Sequence, residues 1–486
     1  MDSAAPVPRP RRPLLSAVVA IAAIVLLLRF LYGPGIVGID ALWSLAWGRD
    51  LAHGAALSVS GTTTPHVLSN LLGLVLAPFG PDADRALVAV EYVGAATLIW
   101  SCGAVAWQLA GLPAGALAAI LMLSREQLLY ATRSGFLDVL AATLVALAAY
   151  FVVRGQARRW TGAAALLALA GLLRPEPWVL LAVLTLWCWQ HSGRPDWRLV
   201  AMTVAVPLLW ALSDGLLAGD PLFSLHETGR VSHLFRIGQG IPDTAGAQLS
   251  SIPRSIVRAC GPELLLVAVL AAATLWRPGP GGADERTRWF GGADGPLVTS
   301  LRLLTAGAAV LAATLAGQAL TGTLLFARFS LPFAALIVPV SAVVIVTALR
   351  ERFAVSATAG VVVIAPILVA FALPLAIHAR ADTDAEQARY EAARAAIRPG
   401  VPCVPAVVPG RNLRAAVAAW TGHRATAVVA AADAGIPPRG TYIDAVTRSA
   451  ERFALDPSFP QRRLAALDLP LVRSGHGWIV RAQCGR

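Results

Sequence analysis

Apolar runs separated by short turns of Arg, Pro, Gly and Asp occupy most of the first 377 residues. Those at 14–31, 198–217 and 354–377 approach or exceed the ~20 apolar residues that span a bilayer. Others at 86–109, 113–130, 138–153, 160–173, 178–190, 261–276, 297–320 and 330–349 bring the expected transmembrane helices to eleven. The stretch 66–80 (HVLSNLLGLVLAPFG) is short for a crossing and is placed in the interface. The arginines decide this placement. With 66–80 not crossing, Arg154, Arg158, Arg159, Arg194, Arg198, Arg277, Arg286, Arg288, Arg350 and Arg352 all fall inside, as the positive-inside rule requires. Counting it as a span would move them all outside.

The expected fold class is therefore an all-α polytopic membrane protein with a small C-terminal α/β domain outside the cytoplasm. Residues 1–13 form a cytoplasmic N-terminal tail, 14–377 a transmembrane domain with a large first outer loop at 33–85, and 378–486 an extracytoplasmic domain. Arg9, Arg11 and Arg12 precede the first run like a signal-peptide n-region. That run is long and lacks a small-residue cleavage site, so it reads as an uncleaved span. In the last domain 382–397 reads as a helix leaving the membrane, and 471–472 and 478–480 read as strand pieces.

Composition supports a membrane protein: of 486 residues 57% are hydrophobic and 14% charged, against about 25% charged in soluble domains. A soluble enzyme and a disordered chain are excluded. All 40 basic residues are Arg, and the net charge is +12. In a membrane protein that balance reflects cytoplasmic loops and lipid headgroups; nucleic acid is not an expected partner, and membrane lipids are. Cys102, Cys188 and Cys260 lie in or beside apolar segments. Cys403 and Cys484 lie in the polar tail, where an oxidising compartment permits a disulfide that ties its end to its beginning.

Candidate chemistry gathers on the outer segments. In 38–50 (GIDALWSLAWGRD), read as a helix, Asp40, Trp43, Trp47 and Asp50 share one face. Ala41, Leu42, Leu45 and Ala46 lie to one side, as in a helix lying in the interface. Asp40 reads either as an N-cap or as a base activating an acceptor at the membrane surface. His66 reads as a ligand, a proton carrier or an interfacial polar residue. Asp138, opening a span after Arg133, suits the helix dipole, yet acids at this depth invite a functional reading. Arg174-Pro175-Glu176-Pro177 joins two short runs and offers an ion pair below the membrane surface, with Trp178 as an aromatic wall. The segment from Gly219 to His226 opens a polar loop. Arg328, at the end of a span, suits either headgroup snorkelling or bidentate contact with phosphate.

Together these motifs resemble the integral-membrane GT-C glycosyltransferases, nearest the protein O-mannosyltransferases and lipid A aminoarabinose transferases. The residues that carry the resemblance are Asp40-Ala41-Leu42-Trp43, Thr64-Pro65-His66, Arg133 to Asp138, Gly171-Leu172-Leu173-Arg174 and Arg328-Phe329-Ser330-Leu331-Pro332. They cover about 10–380 and leave out the tail. In many members Glu follows the first acid, whereas Ala41 follows Asp40 here, so a second carboxylate would come from Asp50, Asp138 or Glu126.

The resemblance implies transfer of a sugar from a polyprenyl-phosphate donor to a hydroxyl on a glycan, lipid or protein acceptor. Asp40 would be the base, with Asp138 as a second catalytic acid. Trp43, Trp47, Asp50, His66, Arg133, Arg174, Glu176, His226 and Arg328 would hold substrate. No metal motif is present; a divalent metal held by carboxylates with His66 or His226 stays open. A transporter or flippase for a lipid-linked or small polar substrate, and a non-catalytic envelope scaffold, remain the alternatives.

Overall fold

The computed structural model describes residues 13–485 except 56, 58, 60–63, 156, 239, 243, 277–295, 353–355 and 455–460. The expected N-terminal tail and Arg277, Arg286 and Arg288 lie outside the described residues.

The apolar runs fold as helices. They are α1 (Pro13–Tyr32), α2 (Ile39–Ala52), α3 (Val67–Leu76), α4 (Ala83–Ala110), α5 (Leu112–Leu123), α6 (Glu126–Arg133), α7 (Asp138–Val153) and α8 (Ala157–Leu173). After these come α9 (Glu176–Ser192), α10 (Trp197–Ala218), α11 (Phe223–Gly238), α12 (Ala245–Cys260), α13 (Pro262–Trp276), α14 (Pro296–Leu320), α15 (Leu331–Arg352) and α16 (Ala357–Ile397).

Among the described residues five helical stretches are each long and apolar enough to cross a membrane, and two bent pairs raise that to as many as seven. The other expected spans are helical but shorter in apolar length, among them α7 and 160–173. α15 runs through the middle of the bundle, with Leu331, Ala334, Val338, Val340, Ala342, Val343 and Val346 fully buried.

Three expectations are corrected. The span expected at 113–130 is broken: α5 and α6 meet at 59°, because Arg125 turns away to bond the Cys260 carbonyl and to pair with Glu263 at 2.8 Å. The polar loop expected to open at 219–226 is instead largely helical, running into α11 and then α12, the latter bent 100° from α13. The third concerns α2, expected at the membrane interface. It is buried all round from Ala41 to Asp50, because α3 covers one side and the C-terminal domain covers another.

The α2–α3 contact is made through glycine. A Cβ on Gly48 would fall inside the backbone of Gly73, and one on Gly73 would strike the Ser44 carbonyl. Only paired glycines allow this approach, which a Ser44–Ser69 hydroxyl bond of 2.9 Å completes. With ten residues, α3 is about 15 Å long, half of a bilayer core. It is parted from α4 by Gly80, whose φ of +54° ends the helix.

α16 continues 20 residues past 377 and leads into the C-terminal domain. There β1 (Ala406–Val408), α17 (Arg411–Thr421), β2 (Val428–Ala430), α18 (Ala431–Ala434), β3 (Gly440–Ala445), α19 (Arg448–Ala454), β4 (Leu471–Gly475) and β5 (Trp478–Gln483) follow. The sheet order is β2-β1-β3-β5-β4, with β1 parallel to β2 and β3, and β5 antiparallel to β3 and β4. β3 is buried along its whole length, as a central strand covered on both faces is. Cys403 and Cys484 are joined as a disulfide with Cα atoms 5.8 Å apart.

This domain does not have a core to itself. Trp43 and Trp47 of α2 belong to the same apolar cluster as Trp420, Trp478 and Tyr390. The expected boundary at 378 thus divides the chain but not the packing.

Candidate functional site

The N-terminus of α2, the start of α7, the α8–α9 junction and the turn before α15 converge on one group of charges. Asp40 is the second residue of α2. The helix is capped by Gly38 without a side-chain bond, so Asp40 is not an N-cap. Its carboxylate lies 3.6 Å from Arg328 Nη2. Arg328 Nε lies 3.1 Å from Asp138, and Arg174 Nε lies 3.3 Å from the other oxygen of Asp138. Arg174 Nη2 then reaches Glu176 at 3.3 Å, and Gln318 donates to Glu176 at 3.0 Å. The result is an alternating chain of Asp40, Arg328, Asp138, Arg174 and Glu176.

Aromatic rings fix the two guanidiniums. Arg174 lies 3.8 Å over Phe329, and Arg328 lies 4.1 Å over Phe136 and 4.5 Å over Phe326. Both cations are therefore held on a planar support while charge pairs them edge-on. Exposure grades along the chain: the side chains of Glu176 and Asp138 are 3% and 7% exposed, and that of Asp40 is 46% exposed. Asp40 is thus the acid open to an incoming molecule.

His66 completes one wall. Its ring packs edge-on against Trp210 at 5.2 Å, and Trp210 meets Trp178 at 5.6 Å. Trp178 and Trp210 both donate to the Gly171 carbonyl, at 2.6 and 2.9 Å. Burial, reinforced by the Arg174 charge, pushes the His66 imidazole down to about 3, so the ring is neutral. Its Nδ1 is buried without a hydrogen-bond partner, as are Asp138 Oδ1 and Arg328 Nε. The ion pairs around Asp138 are thus close but not aligned as hydrogen bonds.

The remaining sequence candidates stand elsewhere. Trp43 and Trp47, each 1% exposed, stack at 5.4 Å inside the α2–tail core, and Arg414 lies over Trp43. Asp50 is 2% exposed and accepts from the Ala425 N–H at 3.0 Å. Arg133 binds α16 through Thr383 at 2.7 Å, Gln387 at 2.9 Å and Asp384. His226 is exposed and pairs with Asp220 at 2.7 Å. The first three hold elements together, the His226 pair is local and exposed, and none joins the charge cluster. Among the described residues no group of three or more His, Cys, Asp or Glu is placed to hold a metal ion.

Sequence reasoning missed Gln318, Trp210, Phe136 and Phe329. The phenylalanines stood inside the quoted motifs, next to Arg328 or two residues before Asp138. Gln318 was detectable as a polar residue in the last turn of an apolar helix. Trp210 carried no signal, because an aromatic in an apolar span is ordinary.

Comparison with known proteins places this arrangement in a fold. No family profile and no curated protein sequence matches the chain. Among solved structures it is similar to ArnT from Cupriavidus metallidurans bound to undecaprenyl phosphate, with 13% identity and a TM-score of 0.60 over 96% of this chain and 98% of that one. Apo ArnT from the same organism is similar at 14% identity and a TM-score of 0.57, with the same coverage. The likeness extends into the tail, beyond the 10–380 region that the motifs cover. The chain shares the fold of these structures, mostly helical with a small C-terminal sheet.

Proposed function

We propose that the chain is a multi-pass membrane glycosyltransferase that moves a sugar from a polyprenyl-phosphate donor to an acceptor hydroxyl, at a site facing out of the cytoplasm. One observation carries the reading: a half-exposed carboxylate, Asp40, stands at the open end of an otherwise buried acid–arginine chain. The likeness to a protein crystallised with undecaprenyl phosphate supports a lipid-phosphate donor. The positive-inside distribution of arginine supports the outward-facing placement of the site and of domain 378–486.

In this mechanism Asp40 takes the proton of the acceptor hydroxyl. The hydroxyl oxygen forms a bond to the anomeric carbon as the bond from that carbon to the phosphate oxygen breaks, inverting the centre. The electron pair leaves on polyprenyl phosphate. Arg328 and Arg174 stabilise the charge that develops there, and their aromatic supports remove the need to reorganise during the step. Asp138 sits between the two guanidiniums and sets their spacing, so it acts as a positioning residue. His66, neutral and bearing an unbonded Nδ1, suits a hydrogen bond to a sugar hydroxyl. Acceptors on a glycan, lipid or protein all fit this chemistry.

The test uses purified protein in nanodiscs with radiolabelled polyprenyl-phosphate sugars and an envelope extract as acceptor. Transfer by the wild type and its loss in Asp40→Asn is the expected result. Transfer that survives in Asp40→Asn removes Asp40 as the base. No turnover of any donor, with substrate moving across sealed vesicles instead, replaces the transferase by a transporter.

A further inference from the structure

Glu91 of α4 is a buried acid that the site above does not use. It is 0% exposed, and both of its carboxyl oxygens are buried without a hydrogen-bond partner among the described residues. The charge that reaches it is not that of a cation but that of Asp138. Buried acids are ordinarily bonded or paired, so a group able to satisfy this one is to be sought close by.

Helix packing shows where that group stands. α4 and α7 run side by side in one direction: the Gly94 carbonyl accepts from Thr143 at 2.9 Å and, further along both helices, Trp100 meets Tyr150 at 5.4 Å. By that register Glu91 stands beside Leu140, within a turn of Asp138 at the head of α7. Side chains lean toward the N-terminus of their helix, which carries the Glu91 carboxyl back toward the level of Asp138. Asp138 Oδ1 is itself buried without a hydrogen bond. Two carboxyl groups that meet away from water cannot both be ionised, and one proton held between them satisfies both. We propose that Glu91 is a positioning residue whose carboxyl shares a proton with Asp138 Oδ1, fixing Asp138 between Arg174 and Arg328. Arg328 Nε and His66 Nδ1 are then left for the substrate. The shared proton stands on the packing alone, whereas its bearing on sugar transfer rests on the transferase reading.

Both parts are tested on full-length protein in nanodiscs. Infrared difference spectra between wild type and variants read the carbonyl stretch of a protonated carboxyl, with no transfer reaction involved. The band is expected in the wild type, lost in Glu91→Gln and displaced in Asp138→Asn, where the acceptor becomes an amide. A spectrum without a band lost in Glu91→Gln, or with one that Asp138→Asn leaves in place, overturns the shared proton. Transfer kinetics read the positioning role. Glu91→Met fills the same space without a donor and is expected to lower kcat ~10-fold, the worth of one hydrogen bond to a charged group, with the donor KM changed less. Glu91→Gln keeps a donor and should recover most of that loss, and in an Asp138→Asn background Glu91→Met should add little. Wild-type kcat in Glu91→Met, equal losses in the Gln and Met variants, or full additivity with Asp138→Asn overturns the role. A wild type that transfers no sugar refutes the transferase reading and the role with it, and the infrared bands still decide the shared proton.

Discussion

Asp84 and Asp138 are both buried carboxylates flanked by arginine, and they are satisfied to different degrees. Asp84 accepts from Tyr390 at 2.8 Å, Arg394 Nε at 2.9 Å, Trp420 at 3.1 Å and the Arg85 N–H at 2.8 Å. Arg394 also reaches Asp82 at 2.8 Å. Every partner of Asp84 is thus in place, and the network locks α16 and α17 to the start of α4. Asp138 has two guanidiniums at ion-pair distance, yet Asp138 Oδ1, Arg328 Nε and His66 Nδ1 are buried without hydrogen bonds. Buried polar groups are normally satisfied, and a saturated network specifies one packing. Residual bonding capacity beside an exposed acid suits a place where a substrate supplies the missing partners. The same residue types therefore serve as a clamp in one region and a site in the other.

The comparison breaks most directly on the acids themselves. Asp40→Asn is expected to lower sugar transfer by ~10²–10⁴-fold, the usual worth of a general base. Its unfolding temperature in detergent should stay near that of the wild type, since Asp40 is half-exposed and its ion pair, at 3.6 Å, is loose. Asp138→Asn should reduce both transfer and stability, because it leaves Arg174 and Arg328 facing each other without their shared anion. Equal stability losses in the two variants would erase the distinction between an open and a buried acid.

Arg394→Ala tests the clamp. Removing one partner of a buried, hydrogen-bonded pair costs about 3–5 kcal/mol, and Asp84 and Arg394 are 2% and 4% exposed. Thermal unfolding should shift accordingly, and the C-terminal domain should become sensitive to limited proteolysis. A variant as protease-resistant as the wild type would show that the apolar core shared by Trp43, Trp47, Trp420 and Trp478 suffices on its own. Gly48→Ala probes that contact from the other side. Its Cβ meets backbone rather than a flexible side chain, so overpacking of about 1–3 kcal/mol is expected. Because α2 carries Asp40, transfer should fall in the same variant, which sharpens the link between the two regions.

The legible parts were those written in local pattern. The helices followed from apolar runs, and the charge cluster from Asp40, Asp138, Arg174 and Arg328, each standing at the end of a run. What the sequence hid was set by long-range packing. Trp43, Trp47 and Asp50 share a helix face with Asp40, and helical periodicity cannot say whether that face meets a sugar or another domain. The domain that covers it begins more than 300 residues later, so α2 read as interfacial. The break between α5 and α6 was hidden for the same reason, since Arg125 finds its partners on α12 and α13. Gly48 and Gly73 were visible as glycines, but only the meeting of two helices shows why neither can carry a Cβ.

The smallest expected effect concerns the far end of α2, where Asp50 and Arg49 meet the tail. Arg49 donates to the Ala418 carbonyl at 2.9 Å and to that of His423, while Asp50 receives the Ala425 N–H. Burial holds the Asp50 carboxyl above its ordinary range, and the Ala425 bond and the Arg49 charge offset this only in part. A carboxyl raised in the folded state binds its proton more tightly there than in the unfolded chain. Its contribution to stability is therefore most favourable below the unfolded value near ~3.9, and it declines as pH rises through the folded value. Asp50→Asn keeps an acceptor for Ala425 and cannot titrate. The stability difference between wild type and Asp50→Asn should thus move against the wild type as pH rises from 4. A difference that stays constant across that range would mean that Asp50 titrates normally, and that its bonds to the tail fully compensate its burial. In that event the α2–tail contact would resemble the saturated Asp84 network at both ends, leaving Asp40 as the only acid of this helix with bonding capacity to spare.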